Sequence, residues 1–195
     1  MKIPKGIEKV INNFEKLPGI GPKSAQRLSF YLLHVPQLQL DDFSHSLVNL
    51  KTSTIMCSTC YNIGETEVCS ICLDPLRDSS LVCIIEDPLD VLAIEKSGYY
   101  KGVYHVLHGV IDPLNGIGPD DIYIPQLMKR LSNGTDVREI ILATNPTLEG
   151  EATAMYVLNK VKTSSFAKAS DGQAKFKITR IGRGLPTGAD LEFAD

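Results

Sequence analysis

Two Cys-x-x-Cys pairs, Cys57-Ser-Thr-Cys60 and Cys69-Ser-Ile-Cys72, stand eight residues apart. Each pair offers two thiolates from one turn, and four thiolates close a tetrahedron around Zn²⁺. This spacing constrains the chain more than any other feature, because it commits residues 55–78 to a small metal-held knuckle with independent segments on either side. With every coordination position filled by sulfur, the metal has no open site, and its role is structural. Disulfides are the competing reading, which a reducing cytoplasm disfavours. A redox Cys-x-x-Cys is the other, which a second copy so close by disfavours. Cys83, inside the apolar stretch "LVCIIE", reads as an ordinary buried thiol.

The segment before the knuckle, residues 1–54, reads as helices. Ile7, Val10, Ile11, Phe14 and Leu17 recur at helical spacing and predict a helix over 5–17. Pro18 and Gly19 end it, and Pro22 suits the first turn of a second helix. Ala25, Leu28, Tyr31 and Leu32 give that helix an apolar face. A third helix is expected through "DDFSHSLVNL", with Phe43, Leu47 and Leu50 inward. The stretch joining the first two helices, "LPGIGPKSAQR", has the glycines and the Lys-Ser of a P-loop. It fails that pattern twice: Pro22 intrudes between Gly21 and Lys23, and a helix precedes it where a P-loop needs a strand.

What it resembles is the helix-hairpin-helix motif of DNA-binding proteins that read no sequence. Gly19 and Gly21 allow close backbone approach, amides at the next helix start face a phosphate oxygen, and Lys23 and Arg27 lie four apart on one helical face. Such contacts position a strand without specifying it. Charge agrees. The chain carries net charge −3, yet residues 1–34 hold six Lys and Arg against two Glu. A solvated helix face accounts equally for Lys2, Lys5 and Lys9. An internal control sits at 116–121, "GIGPDD", where the same turn letters precede two aspartates. That copy is expected to be a structural turn.

After residue 78 the texture alternates strand and helix: "LVCIIE", "DPLDVLAIEKSG", "GVYHVLHG", "PDDIYIPQLMKRL", "REIILAT" and "LEGEATAMYVLNKVK". Such alternation implies a parallel α/β sheet over 79–175. An aperiodic insertion, "TSSFAKASDGQA", falls near 163–174, and a last strand "FKITRIG" lies in the remainder, 176–195. No run of about 18 apolar residues is present, so no membrane helix is expected. "MKIPKGIEKV" lacks a secretory core, so a cytoplasmic location is expected.

Glu86 ends the first of these strands, where ligand sites form in parallel sheets. Together with "NPTLEGEA" after the third strand, it resembles the Toprim domain of topoisomerases and primases. Those enzymes carry two metal-binding aspartates where this chain has Asn145 and Thr147, while Glu149 and Glu151 remain. Three readings stay open for Glu86, Glu149 and Glu151: a weak Mg²⁺ site, a face that docks a protein, or charges that suit a helix start.

Helix-hairpin-helix, four-cysteine knuckle and degenerate Toprim, in that order, resemble the RecR family of bacterial recombination proteins. The resemblance spans "LPGIGPKSAQR", "VCIIEDPLDVLAIE", "GIGPDDI", "ILATNPTLEGEATA" and "GLPTGADLEFAD". It implies a non-enzymatic DNA-binding role in recombinational repair, acting with RecO and RecF to help load RecA on gapped or single-stranded DNA at the nucleoid. It also implies homo-oligomers, dimers and ring-shaped tetramers. The insertion near 163–174 and the end at Asp195 depart from the family pattern and bear on the tetramer. The rival readings are a Mg²⁺-dependent Toprim nuclease, topoisomerase-like or primase-like enzyme, and a pure protein scaffold.

Overall fold

The structure, a computed structural model, describes residues 3–133, 136–164 and 177–182. The chain divides into two compact units, Met1–Ser53 and Thr54–Asp195. The insertion expected near 163–174 lies, from residue 165 onward, outside the described residues.

The first unit is three helices, α1 (Lys5–Phe14), α2 (Pro22–Leu32) and α3 (Gln37–Asn49). α1 packs on α2. Their contact is closed by small groups: Ala25 and Ser29, one turn apart on α2, are buried, as is Ile11 on α1. The Ser29 hydroxyl donates back to the Ala25 carbonyl at 2.8 Å, so its burial leaves no orphan. Two expectations fail in this unit. Leu28 and Tyr31 are exposed, and so are Phe43, Leu47 and Leu50, which the spacing had turned inward. α3 begins at Gln37, four residues before "DDFSHSLVNL", and buries no side chain. Three short helices have too little interior to cover the apolar positions they carry.

The second unit begins with the knuckle. A two-residue antiparallel pair, β1 (Ile55–Met56) with β2 (Ile63–Gly64), precedes a single helical turn, α4 (Ser70–Leu73). The α/β layer follows: β3 (Asp78–Ile85), α5 (Pro88–Ser97), β4 (Gly102–Val106), α6 (Ile124–Ser132), β5 (Glu139–Leu142), α7 (Leu148–Thr163) and β6 (Lys177–Arg180). The four strands are parallel in the order β4-β3-β5-β6. Thus the strand within "FKITRIG" forms an edge of this sheet. Central β3 is apolar on both faces, because helices cover both: Val82 and Ile84 belong to one core cluster with Leu127, Leu131 and Val157, Cys83 and Ile85 to another with Val91 and Tyr104. Burial holds the Cys83 thiol neutral, pushed up to about 12.

Local signals set most boundaries. α5 starts with a capping box, Asp87 accepting from the Leu89 amide and Asp90 from the Asp87 amide, and ends at left-handed Gly98. α6 starts five residues later than "PDDIYIPQLMKRL" suggests, because Asp121 at its front accepts from the Gly118 amide and closes a turn. Among the described residues, no helix is long and apolar enough to cross a membrane.

Candidate nucleic-acid interface and metal centre

The four cysteine sulfurs of the knuckle lie within 4.8 Å of one another. A tetrahedral Zn–S₄ centre has sulfur–sulfur edges of about 3.8 Å, set by Zn–S bonds of about 2.3 Å, so the donor set fits zinc. The polypeptide prepares the ligands for it. Burial pushes the Cys57 thiol up, but amide donors from Cys69, Cys60 and Thr59 outweigh that and bring it down to about 6; the Cys69 amide lies 3.3 Å from its sulfur. Cys60, paired with Cys72 and buried, is shifted the other way. Thiolates crowded together in this manner need a cation among them. Cys57, Cys60 and Cys69 are buried and Cys72 is half-buried, which suits a structural metal.

The knuckle is seated on the α/β layer of its own unit. The Val106 amide, at the end of β4, donates to the Cys60 carbonyl at 2.9 Å. Tyr61 stacks against Tyr123 with ring centroids 4.6 Å apart and meets the edge of His105 at 5.3 Å. The His108 ring packs on Tyr123 and donates to the Tyr61 carbonyl. Burial holds His105 neutral, lowered to about 4, and its Nε2–H donates to the Tyr123 carbonyl at 2.9 Å. Sequence reasoning missed this dock. Its one local trace is that Tyr61 and His108 are the two non-glycine residues with positive φ among the described residues, at 61° and 56°.

In the first unit, Gly19 takes φ +79°, a left-handed conformation that favours glycine. Gly21 is the residue before α2, with φ −86° and ψ 172°. No side chain caps α2, and the Lys23 and Ser24 amides have no partner among the described residues. Lys23 and Arg27 are exposed and enter none of the ion pairs of the described residues. The end of α2 thus presents two open amides and two open cations.

The three carboxylates of the Toprim-like site behave differently. Glu86 is clamped by one residue: the Asn145 amide donates to Glu86 Oε1 at 2.8 Å and its side-chain Nδ2 to Oε2 at 2.7 Å. Gly150 makes this possible, because a Cβ there would lie 2.6 Å from Glu86 Oε1 and would collide with the Asn145 carbonyl. Thr147 caps α7, its hydroxyl accepting from the Gly150 amide at 3.0 Å. Glu151 pairs with Arg180, whose guanidinium also holds the Leu142 and Thr144 carbonyls. Glu149 lies in the first turn of α7. The three do not converge: among the described residues, the one group disposed to hold a metal is the four cysteines. Asn145 donates to both Glu86 oxygens and Arg180 to Glu151, so Glu86 and Glu151 are held by different partners.

Comparison with known families returns three matches along the chain. Residues 7–51 match the model described as RecR, helix-hairpin-helix. Residues 55–74 match the four-cysteine zinc finger domain of RecR, and residues 80–171 match the Toprim domain.

Proposed function

Because this chain belongs to the RecR family, with a role in recombinational repair, we propose that it is a non-enzymatic accessory protein. In this reading it holds gapped or single-stranded DNA without sequence preference while RecO and RecF help load RecA. The observation that carries the DNA part is the open start of α2, where two unpaired amides and the free cations Lys23 and Arg27 share one helix end. Gly21 adds to it. A Cβ there would meet nothing within 4 Å, and its φ suits any residue. Gly21 is the N-cap of α2, where glycine is favoured over alanine, and its open flank also leaves room for a phosphate to approach the backbone.

The non-enzymatic part is supported by the Glu86–Asn145 clamp. A Toprim enzyme needs carboxylates gathered on Mg²⁺, and here the neighbour of Glu86 is an amide that donates to it. Close in sequence to these acidic residues, Leu89 and Leu148 are exposed. A mixed acidic and apolar face of this kind suits a protein such as RecO or RecF. Self-association is supported in the first unit, where Tyr31 is 65%, Leu47 58% and Val48 73% exposed. We take these residues to pack against a second copy, as a dimer and, through further contacts, a ring. The zinc centre holds the knuckle in shape, and the protein works in the cytoplasm, at the nucleoid during repair.

The test is fluorescence anisotropy with gapped DNA across a salt series, together with incubation with Mg²⁺ and supercoiled, nicked and gapped DNA. The reading expects salt-dependent binding and intact DNA. Mg²⁺-dependent cleavage or synthesis that Glu86→Gln abolishes would establish the enzymatic alternative. Binding to RecO and RecF without any DNA affinity at low salt would establish a scaffold.

A further inference from the structure

The strand order β4-β3-β5-β6 leaves two edges among the described strands, and they are protected in opposite ways. A strand edge offers amides and carbonyls to any other strand, and proteins blunt it with charge or cover it. β6 carries its own protection: Lys177, with 71% of its side chain exposed, opens the strand and Arg180 closes it. β4 has none. Residues 102–107, Gly-Val-Tyr-His-Val-Leu, contain no Lys, Arg, Asp, Glu or Pro and are rich in strand-forming residues. An uncharged, proline-free stretch of this length is of the kind that pairs with copies of itself.

β4 is nonetheless buried at every residue, and the knuckle supplies the cover. The Cys60 carbonyl accepts from the outward Val106 amide at 2.9 Å. Arg130 donates to the outward Tyr104 carbonyl at 2.7 Å and to the Thr59 carbonyl at 3.4 Å, which ties the same guanidinium to the knuckle. Tyr61 meets the His105 ring edge-on. All three contacts involve residues 59–61, at the first pair of zinc ligands. The knuckle has little interior of its own to hold that segment. Its buried side chains are Cys57, Cys60 and Cys69, with Val68, Ile71 and Cys72 packed on them. The metal, rather than an apolar core, keeps residues 59–61 on the edge.

We infer that the zinc knuckle guards the β4 edge, and that a chain without zinc pairs through β4 with β4 of a second copy. Two such edges meet antiparallel about a two-fold axis, each offering the other the same groups. Zinc then sets the availability of a self-complementary surface as well as the shape of the knuckle. The inference is independent of how the first unit holds DNA.

The experiment is hydrogen exchange of the full chain, zinc-loaded and zinc-stripped, each at low and high protein concentration. The zinc-loaded chain should protect the Val106 amide at both. The stripped chain should lose that protection when dilute, while β3 and β5 keep theirs. Concentrating it should slow exchange at Tyr104 and Val106 by about tenfold or more, and added zinc should reverse the concentration dependence. Association through the first unit is open to both forms, so the comparison between them isolates β4. Val106→Pro gives a second reading. It removes the outward amide but spares the inward bonds of β4, such as that from the Leu107 amide to the Ile85 carbonyl. Stripped and concentrated, this variant should show no slowing at Tyr104. Protection of Val106 in the dilute stripped chain would overturn the guard, as would loss of protection across β3 and β5 together with β4. Absence of slowing on concentration, or equal slowing in Val106→Pro, would overturn the pairing.

Discussion

The chain contains the letters Gly-Ile-Gly-Pro twice, and the two copies do opposite things. At 19–22 they join α1 to α2 and leave the Lys23 and Ser24 amides open beside two cations. At 116–119 the same letters form a turn closed by its own carboxylates. Asp112 accepts from the Asn115 amide at 3.2 Å, Asp121 from the Gly118 amide at 2.8 Å, and a short bridge joins Asp112 to Ile117. Both copies place their first glycine at left-handed φ, +79° and +74°. The letters therefore specify a turn, and the residues around them decide whether its amides face a ligand or a neighbouring aspartate. Hydrogen bonds from Asn115 hold the Asp112 carboxyl below the usual range, as expected of a carboxylate serving a turn.

The largest effect should come from separating the two copies by removing zinc. Chelation withdraws a binding energy on the order of 10 kcal/mol from the knuckle, and the knuckle is seated on the unit that contains the second copy. Hydrogen exchange should show loss of protection over 55–74 and at the Val106 amide, which Cys60 holds, while α1 and α2 keep theirs. Full protection of the knuckle after complete zinc removal would contradict a metal-held fold. DNA binding by the first copy should survive, since no part of that turn lies in the zinc-bearing unit.

The next effect is on the first copy alone. Lys23→Ala/Arg27→Ala should flatten the dependence of DNA affinity on salt by about two units, one for each phosphate no longer neutralised. Thermal stability should be unaffected, because both side chains are exposed and make no ion pair among the described residues. An unaltered slope would remove these residues from the interface. Converting the second copy to the charges of the first is a smaller change. Asp120→Lys with Asp121→Ala breaks the bond to Gly118, and calorimetry should show a Tm lowered by about 2–4 °C. A gain of DNA affinity in this variant would mean that charge, without open helix amides, is sufficient.

The comparison also shows how far the sequence carries. The four cysteines and the strand-helix alternation follow from spacing and periodicity, and the pairing of Glu86 with "NPTLEGEA" from the resemblance to the Toprim domain. Helix periodicity identified α3 but mistook its surroundings: Phe43 and Leu47 are apolar at the right spacing, yet three helices alone give them nothing to cover. Periodicity reports that a face is apolar, not what will meet it. The seat of the knuckle was hidden for another reason. Tyr61 and Tyr123 are 62 positions apart, and no local rule brings them into contact. The Glu86–Asn145 clamp lies between these cases, for the motif located the pair and only the coordinates gave the hydrogen bonds.

The smallest effect discriminates best. Gly21 and Gly118 hold the same place in the two copies, and neither needs a positive φ. A Cβ on Gly118 would lie 3.4 Å from Asp121 Oδ2, an ordinary contact, and one on Gly21 would meet nothing. Alanine at either position should therefore be tolerated; at Gly21, the N-cap of α2, the restriction of the unfolded state and the N-cap preference for glycine over alanine oppose each other, leaving stability within about 1 kcal/mol of native. If the first turn holds a phosphate against its backbone, however, the added methyl stands where the oxygen must come. Gly21→Ala should then stay folded, with stability within about 1 kcal/mol of native, and bind DNA about threefold or more weakly, while Gly118→Ala changes neither. Equal DNA affinity in both variants would leave Lys23 and Arg27 as loose surface charges and deprive the turn of its part in the grip. A loss of stability in Gly21→Ala well beyond about 1 kcal/mol would return that glycine to the fold.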